Sequence, residues 1–211
     1  MMASIMRILG RGGRIAAIFP LALGVMVPAS GHAQDRYPMD WDAVAAESME
    51  YFLELLRTDT SNPPGNETEA ATYLQGLLER EGIETELFAL DPARANLVAR
   101  LRGNGSKQPI LIMGHTDVVG VQRDNWSVDP FAAVTRDGYV YGRGALDDKD
   151  NATAALMLML MLKRAEVELD RDVIFLAEAG EEGTTRWGID FMVEQHWDKI
   201  AAEYCLAEGG G

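Results

Sequence analysis

The 211-residue chain is poor in the residues that usually staple small folds or hold structural metals: it has one cysteine, Cys205, and three histidines. A single cysteine excludes an internal disulfide, which is ordinary for an exported protein in a periplasm. Cys205 lies in an apolar stretch, which predicts a core residue and not a nucleophile. The same scarcity excludes a structural zinc site built from cysteines or several histidines. Basic residues are also few, 19 Lys and Arg against 33 Asp and Glu, for a formal charge of −14. Such a chain repels nucleic acid and anionic lipid surfaces, so neither is expected as a partner. Most of these acids are read as solvated surface. No internal repeat or low-complexity tract stands out.

An apolar run long enough to span a bilayer comfortably is lacking too. Arg7, Arg11 and Arg14 form a basic start, residues 15–27 an apolar stretch broken by Pro20, and Gly31-His32-Ala33 a small-residue exit. This pattern predicts a secretory leader cleaved after Ala33 and a periplasmic or secreted product without a membrane anchor. The separated arginines exclude a twin-arginine signal. Removing residues 1–33 takes away those three arginines and no acid, moving the formal charge from −14 to −17. Residues 34–40 then read as a linker and 41–211 as one α/β domain.

Along that domain, residues 41–57 carry apolar side chains at helical spacing. Residues 60–66 are a loop by composition, and 67–81 a second helix stopped by Gly82. Strands are expected over 83–90, 96–101 and 109–113, the last a continuous apolar run typical of a buried parallel strand. Residues 131–141 read as a hairpin turning at Asp137-Gly138. Residues 151–163, rich in Leu, Met and Ala, favour a buried helix, their methionines serving packing. A buried strand over 172–178, a helix over 187–194 and a strand over 204–207 complete the chain. This order argues for a three-layer α/β/α domain with a mixed, largely parallel sheet.

The chemistry sits where apolar runs end. Gly114-His115-Thr116-Asp117 follows one predicted strand, Glu181-Glu182 another, and Glu208 a third, while Asp147-Asp148-Lys149 precedes the long helix. His115 can bind a metal through one nitrogen while Asp117 accepts the other N–H. Alone, that pair reads more readily as a loop cap. Asp147 and Asp148 side by side repel unless a cation lies among them, although Asp148 also suits a helix cap. Of Glu181 and Glu182, one can bind metal and the other accept a proton from an activated water; a charged helix entry is the plainer alternative. Together these carboxylates and one imidazole suit zinc, manganese or cobalt. His196, in a predicted helical stretch, is not assigned to a metal.

In order and spacing, these segments resemble the M20 family of metallopeptidases, whose relatives include aminoacylases, carboxypeptidases and succinyl-diaminopimelate desuccinylases. The likeness runs over 41–211 and rests on Thr60-Ser61-Asn62-Pro63-Pro64-Gly65-Asn66-Glu67, Gly114-His115-Thr116-Asp117-Val118-Val119, Trp126 with Asp129-Pro130-Phe131, Asp137-Gly138-Tyr139-Val140-Tyr141-Gly142-Arg143-Gly144, Asp147-Asp148-Lys149 and Glu181-Glu182-Gly183. It implies a zinc-peptidase catalytic domain with two Zn2+, or Co2+ or Mn2+ in their place. It implies that His115 and Glu208 bind one ion, Glu182 the other, and Asp147 bridges them. Asp117 then orients His115, and Glu181 is the general base. A cis Asp147–Asp148 peptide bond is also implied. Gly180 and Asp150 depart from the family pattern at positions that are not ligands. The family's last histidine ligand and its lid or dimerisation domain find no match here. The chain is therefore expected to be an amino-terminal piece, weakly active or inactive alone, with a homodimer requiring the missing domain. The implied substrates are small peptides or N-acyl amino acids. Two other readings stay open on residues alone: a non-catalytic metal- or peptide-binding domain that keeps the fold, and an acidic, metal-free structural domain.

Overall fold

The computed structural model describes residues 36–208; the expected leader over 1–33 lies outside them. Helix α1 (Trp41–Arg57) starts where the Asp40 carboxylate accepts the Ala43 N–H, and buries Leu55 and Leu56. A two-residue strand β1 (Ser61–Asn62) interrupts the expected loop. Helix α2 (Glu67–Arg80) follows, with the chain turning at Gly82. Strands β2 (Glu84–Ala89), β3 (Ala95–Leu101) and β4 (Ile110–His115) come next, then the short β5 (Val118–Val119) and the hairpin β6 (Val134–Arg136) and β7 (Tyr139–Tyr141). Helix α3 (Lys149–Arg164), strand β8 (Val173–Glu178), helices α4 (Ile189–Gln195) and α5 (Trp197–Ile200) and strand β9 (Tyr204–Leu206) complete the order.

The main sheet has the order β2-β3-β8-β4-β9. Pairing is antiparallel on the β2-β3-β8 side and parallel through β8-β4-β9. Side chains of β8 alternate between two cores. Val173, Phe175 and Ala177 pack with α2 and α3, whereas Ile174 and Leu176 pack with Phe191, Met192 and Ile200 of α4 and α5. That alternation is the three-layer α/β/α arrangement expected. Strand β4 runs further than its apolar residues because it pairs with β8 up to His115 opposite Glu178. The hairpin is shorter than its sequence suggests because Ala133, with φ 48°, breaks the extended backbone. Cys205 corrects an expectation: it is exposed, since β9 is the edge strand and Tyr204 and Leu206 on it are exposed as well. Among the described residues no helix is long and apolar enough to cross a membrane.

One buried ion pair connects this frame to the loop beyond β8. Glu67, the first residue of α2, takes a two-pronged bond from Arg94 (Nε to Oε2 2.9 Å), with both side chains buried. The Arg94 guanidinium lies 5.6 Å from the Trp187 ring centre and against Gly180. Removing one partner of a buried pair strands the other charge. Glu67→Ala is therefore expected to lower stability by about 3–5 kcal/mol. Arg57→Ala, which breaks an ion pair with Glu54 that is 48% and 55% exposed, is expected to cost under ~1 kcal/mol. Urea denaturation separates them; equal midpoints for the two variants would refute the anchoring role of the buried pair.

Candidate metal centre

The carboxyl end of β4 collects the residues singled out above. His115 is the last residue of that strand and is 2% exposed. Its Nδ1 lies 2.9 Å from the Asp117 backbone carbonyl and 3.4 Å from the Asp117 carboxylate. Both neighbours are acceptors, so Nδ1 carries a proton, and Nε2 is the nitrogen that faces the acids, holding a second proton until a cation takes its place. The closer of them is the backbone carbonyl, a refinement of the expectation that the carboxylate alone orients the ring. Nε2 faces Asp147 at 2.9 Å, Glu181 at 3.8 Å and Glu208 at 4.0 Å.

Two groups of possible ligands share this imidazole: His115, Asp147 and Glu182, and His115, Asp148 and Glu208. Within each, one ligand atom per residue lies within 4.8 Å of the others. Donors bound at about 2.0–2.2 Å to a tetrahedral zinc stand roughly 3.3 Å apart, so the spacing and the donor types fit a divalent cation. All four residues expected as ligands, from four separate parts of the chain, are brought together, with Glu181 beside them.

Asp148 adds a residue that the sequence offered either to a cation or to a helix cap. Its carboxylate makes no cap bond to the α3 backbone. Instead Oδ2 accepts the His115 N–H at 3.0 Å, and Oδ1 accepts the Asn151 amide. Protein donors thus engage both of its oxygens, whereas the Asp147 side chain is 61% exposed. Asp147 is the better placed ligand of the two. The peptide bond between them is cis, as the resemblance implied. Gly114 makes the approach of α3 possible: a Cβ there would come within 2.8 Å of Asp148 Oδ2.

Asp117 does more than was anticipated. It is fully buried, and its carboxylate accepts the backbone N–H groups of Glu181 at 3.0 Å and Glu182 at 3.2 Å. It also accepts the Asn62 side-chain amide at 2.8 Å. Parallel pairing of β1 with β5 sets Asn62 in reach. No motif spacing revealed Asn62, although it lies in a segment that carried the resemblance.

Burial and like charge set the electrostatics. Desolvation pulls the His115 pKa down, but the Asp117 carboxylate and carbonyl, with Asp148, outweigh it and push it up to about 10. Burial and neighbouring acids raise Glu182, and burial, Asp148 and Asp147 raise Glu208. Glu178, also missed from sequence, is buried at the end of β8 with one carboxylate oxygen unpartnered; burial pushes it up to about 7. The cluster favours a positive charge at Nε2, either a proton or a metal. His196 lies elsewhere, its ring 4.4 Å from that of Phe88 and 4.9 Å from that of Phe191.

Residues 111–211 match Peptidase family M20/M25/M40. The chain is 35% identical over 138 residues to a probable succinyl-diaminopimelate desuccinylase of Staphylococcus aureus, covering 64% of this chain and 33% of that protein. Among solved structures, it is similar to an M20 family metallo-carboxypeptidase from Sulfolobus solfataricus, with TM-score 0.67 and 26% identity over 78% of this chain and 38% of the other. A dinuclear metal binding peptidase of the M20 family from Bacillus subtilis shares the fold, with TM-score 0.54 and 22% identity over 75% and 41% of the two chains. The chain spans about a third of the length of the curated relatives it matches.

Two outcomes are expected. Asp117→Asn cannot accept the same set of N–H groups and should weaken metal affinity about 10- to 100-fold, as other ligand-supporting residues do. Chelator-competition titration checks this, and unchanged affinity would show that Asp117 does not organise the ligands. Metal uptake should also displace the His115 proton. Because the metal-free pKa is about 10, affinity should rise with pH between 6.5 and 8.5, by up to about tenfold per unit for one proton. Affinity that is flat across that range would refute a protonated imidazole in the metal-free protein.

Proposed function

We propose that this chain, which belongs to the M20 peptidase family, carries the catalytic centre of a metal-dependent hydrolase that cleaves the amide bond of a small peptide or N-acyl amino acid. The observation that carries the reading is the shared imidazole: two ligand groups meet at His115, with the Glu181 carboxylate 3.8 Å from its Nε2. One nitrogen serves one ion, and the family resemblance would give His115 and Glu208 to one ion and Glu182 to a second, with Asp147 available to both. Zinc, manganese and cobalt all suit this donor set, and the family resemblance favours zinc. When bound, the ions polarise a scissile carbonyl and ease deprotonation of a water.

The remaining work falls to side chains. Glu181 is 40% exposed and belongs to neither ligand group. It takes the proton of the attacking water and returns it to the leaving nitrogen, which cannot depart as an amide anion. Asp117 fixes the Glu181 and Glu182 backbones through adjacent N–H groups, so the base and a ligand keep one spacing. His115 stays dry at the strand end while Asp147 faces the solvent side, where a substrate arrives. The presence of Glu181 argues against a domain that has kept only binding. The expected leader would deliver the enzyme to an exported compartment, where peptide scavenging is the fitting use.

With the full-length, metal-loaded protein, Glu181→Gln is expected to lower kcat by about 10²- to 10⁴-fold while metal content by elemental analysis is unchanged. Equal turnover would remove Glu181 from its role. Absence of hydrolysis by the wild type across dipeptides and N-acyl amino acids, with metal bound, would overturn the enzymatic reading.

A further inference from the structure

The loop from Ala179 to Gly188, which carries Glu181 and Glu182, is closed at its neck by a side chain of the sheet. The ladder between β3 and β8 ends at Leu97 opposite Ala177. Past that point the chain leaves the sheet, and its backbone polar groups need other partners. Asn96, the second residue of β3, supplies them. Its Oδ1 accepts the Ala179 N–H at 3.0 Å, and its Nδ2 donates to the Trp187 carbonyl at 2.8 Å. Nδ2 also donates to the Phe88 carbonyl of β2 at 3.2 Å. One side chain with 0% exposure ties both ends of the loop to the frame. The ends also touch each other: a Cβ on Gly188 would fall 2.1 Å from the Ala179 carbonyl oxygen.

Within the loop, the Asp117 carboxylate holds the Glu181 and Glu182 N–H groups. That anchor grips two adjacent residues only. With a loose neck the loop would pivot about it, and the two carboxylates would move with the loop. The neck asks for two donors and one acceptor in a single plane, and a short side-chain amide provides that set. Leucine, of similar size, would leave a buried N–H and two carbonyls without this partner, which is costly. Aspartate would set a carboxylate against two carbonyls. Packing alone gives no reason for an amide here, because Val98, next on the same face of β3, sits in the apolar core with Ile174 and Leu176.

We propose that Asn96 is a positioning residue for the metal centre: by clamping the neck of the 179–188 loop, it fixes where Glu182 and Glu181 stand relative to His115. It touches neither metal nor substrate and acts through the Ala179 and Trp187 backbone. The proposal rests on the reading of Glu182 as a ligand and Glu181 as the base. Its metal-binding part does not depend on hydrolysis.

The test uses the full-length protein, Co2+ as the metal probe, and Val98→Ala as a control on the same strand face. Asn96→Ser and Val98→Ala are both expected to lower the urea midpoint. Only Asn96→Ser should weaken Co2+ affinity, by about 10- to 100-fold, and alter the visible spectrum of the bound ion. On whichever dipeptide or N-acyl amino acid the wild type cleaves, Asn96→Ser should lower kcat about 10- to 100-fold at saturating metal, the scale of a small misplacement, with KM nearly unchanged. Wild-type Co2+ affinity in Asn96→Ser, or an equal fall in both variants, overturns the proposal and leaves Asn96 a core residue. If no substrate is cleaved, the hydrolase reading fails separately, and the Co2+ titration decides. If Asn96→Ser does not fold, amide hydrogen exchange of the wild type with and without Co2+ decides. The Ala179, Glu181 and Glu182 N–H groups should gain protection in parallel, as one unit. Protection gained at Glu182 but not at Ala179 separates the neck from the centre and removes the proposal.

Discussion

Like charges held together at the end of one strand are the constraint on which this structure depends. Asp117, Asp147, Asp148, Glu178, Glu181, Glu182 and Glu208 are grouped around or near one buried imidazole. Repulsion and desolvation both oppose that grouping. The protein meets it in two ways. Asp117 and Asp148 receive N–H donors from the chain, three and two respectively. Asp147, Glu182 and Glu208, which receive no backbone N–H among the described residues, are the acids this arrangement offers to a cation beside His115.

Sheet order explains why the grouping forms here. Strand β4 lies between β8 and β9 and is parallel to both. Its carboxyl end is therefore flanked by the segments that leave two other strands, one carrying Glu181 and Glu182 and the other Glu208. Helix α3 comes over the same strand with Asp147 and Asp148 at its start, close enough that position 114 admits only glycine comfortably. An antiparallel neighbour would have turned its carboxyl end away. The β2-β3 side of the sheet, which is antiparallel, contributes no ligand.

Element types and the residues that gather at the site were legible in the sequence because each signal was local: a buried run, a turn, and a chemically unusual residue just beyond. What was not legible depended on tertiary donors. Asp148 also suited a cap because helix entry favours aspartate, yet its carboxylate turns to the His115 N–H of the strand beneath α3. Asn62 sat in a loop with no period, and only the pairing of two-residue strands brings it to Asp117. Cys205 was misjudged because an apolar strand looks the same at an edge as in the middle. Edge position is a property of sheet order, which local pattern does not contain.

Exposure sorts the site into tasks. His115 is sealed, Glu181 is partly open, and Asp147 is more open still. A ligand sealed from water keeps its tautomer and position, whereas a group that exchanges protons with substrate must be reachable. Asp147 occupies both settings at once, touching the imidazole on one side and bordering a cleft lined by Trp126 and Arg143 on the other. Its loop is therefore shared by the acid cluster and by that cleft.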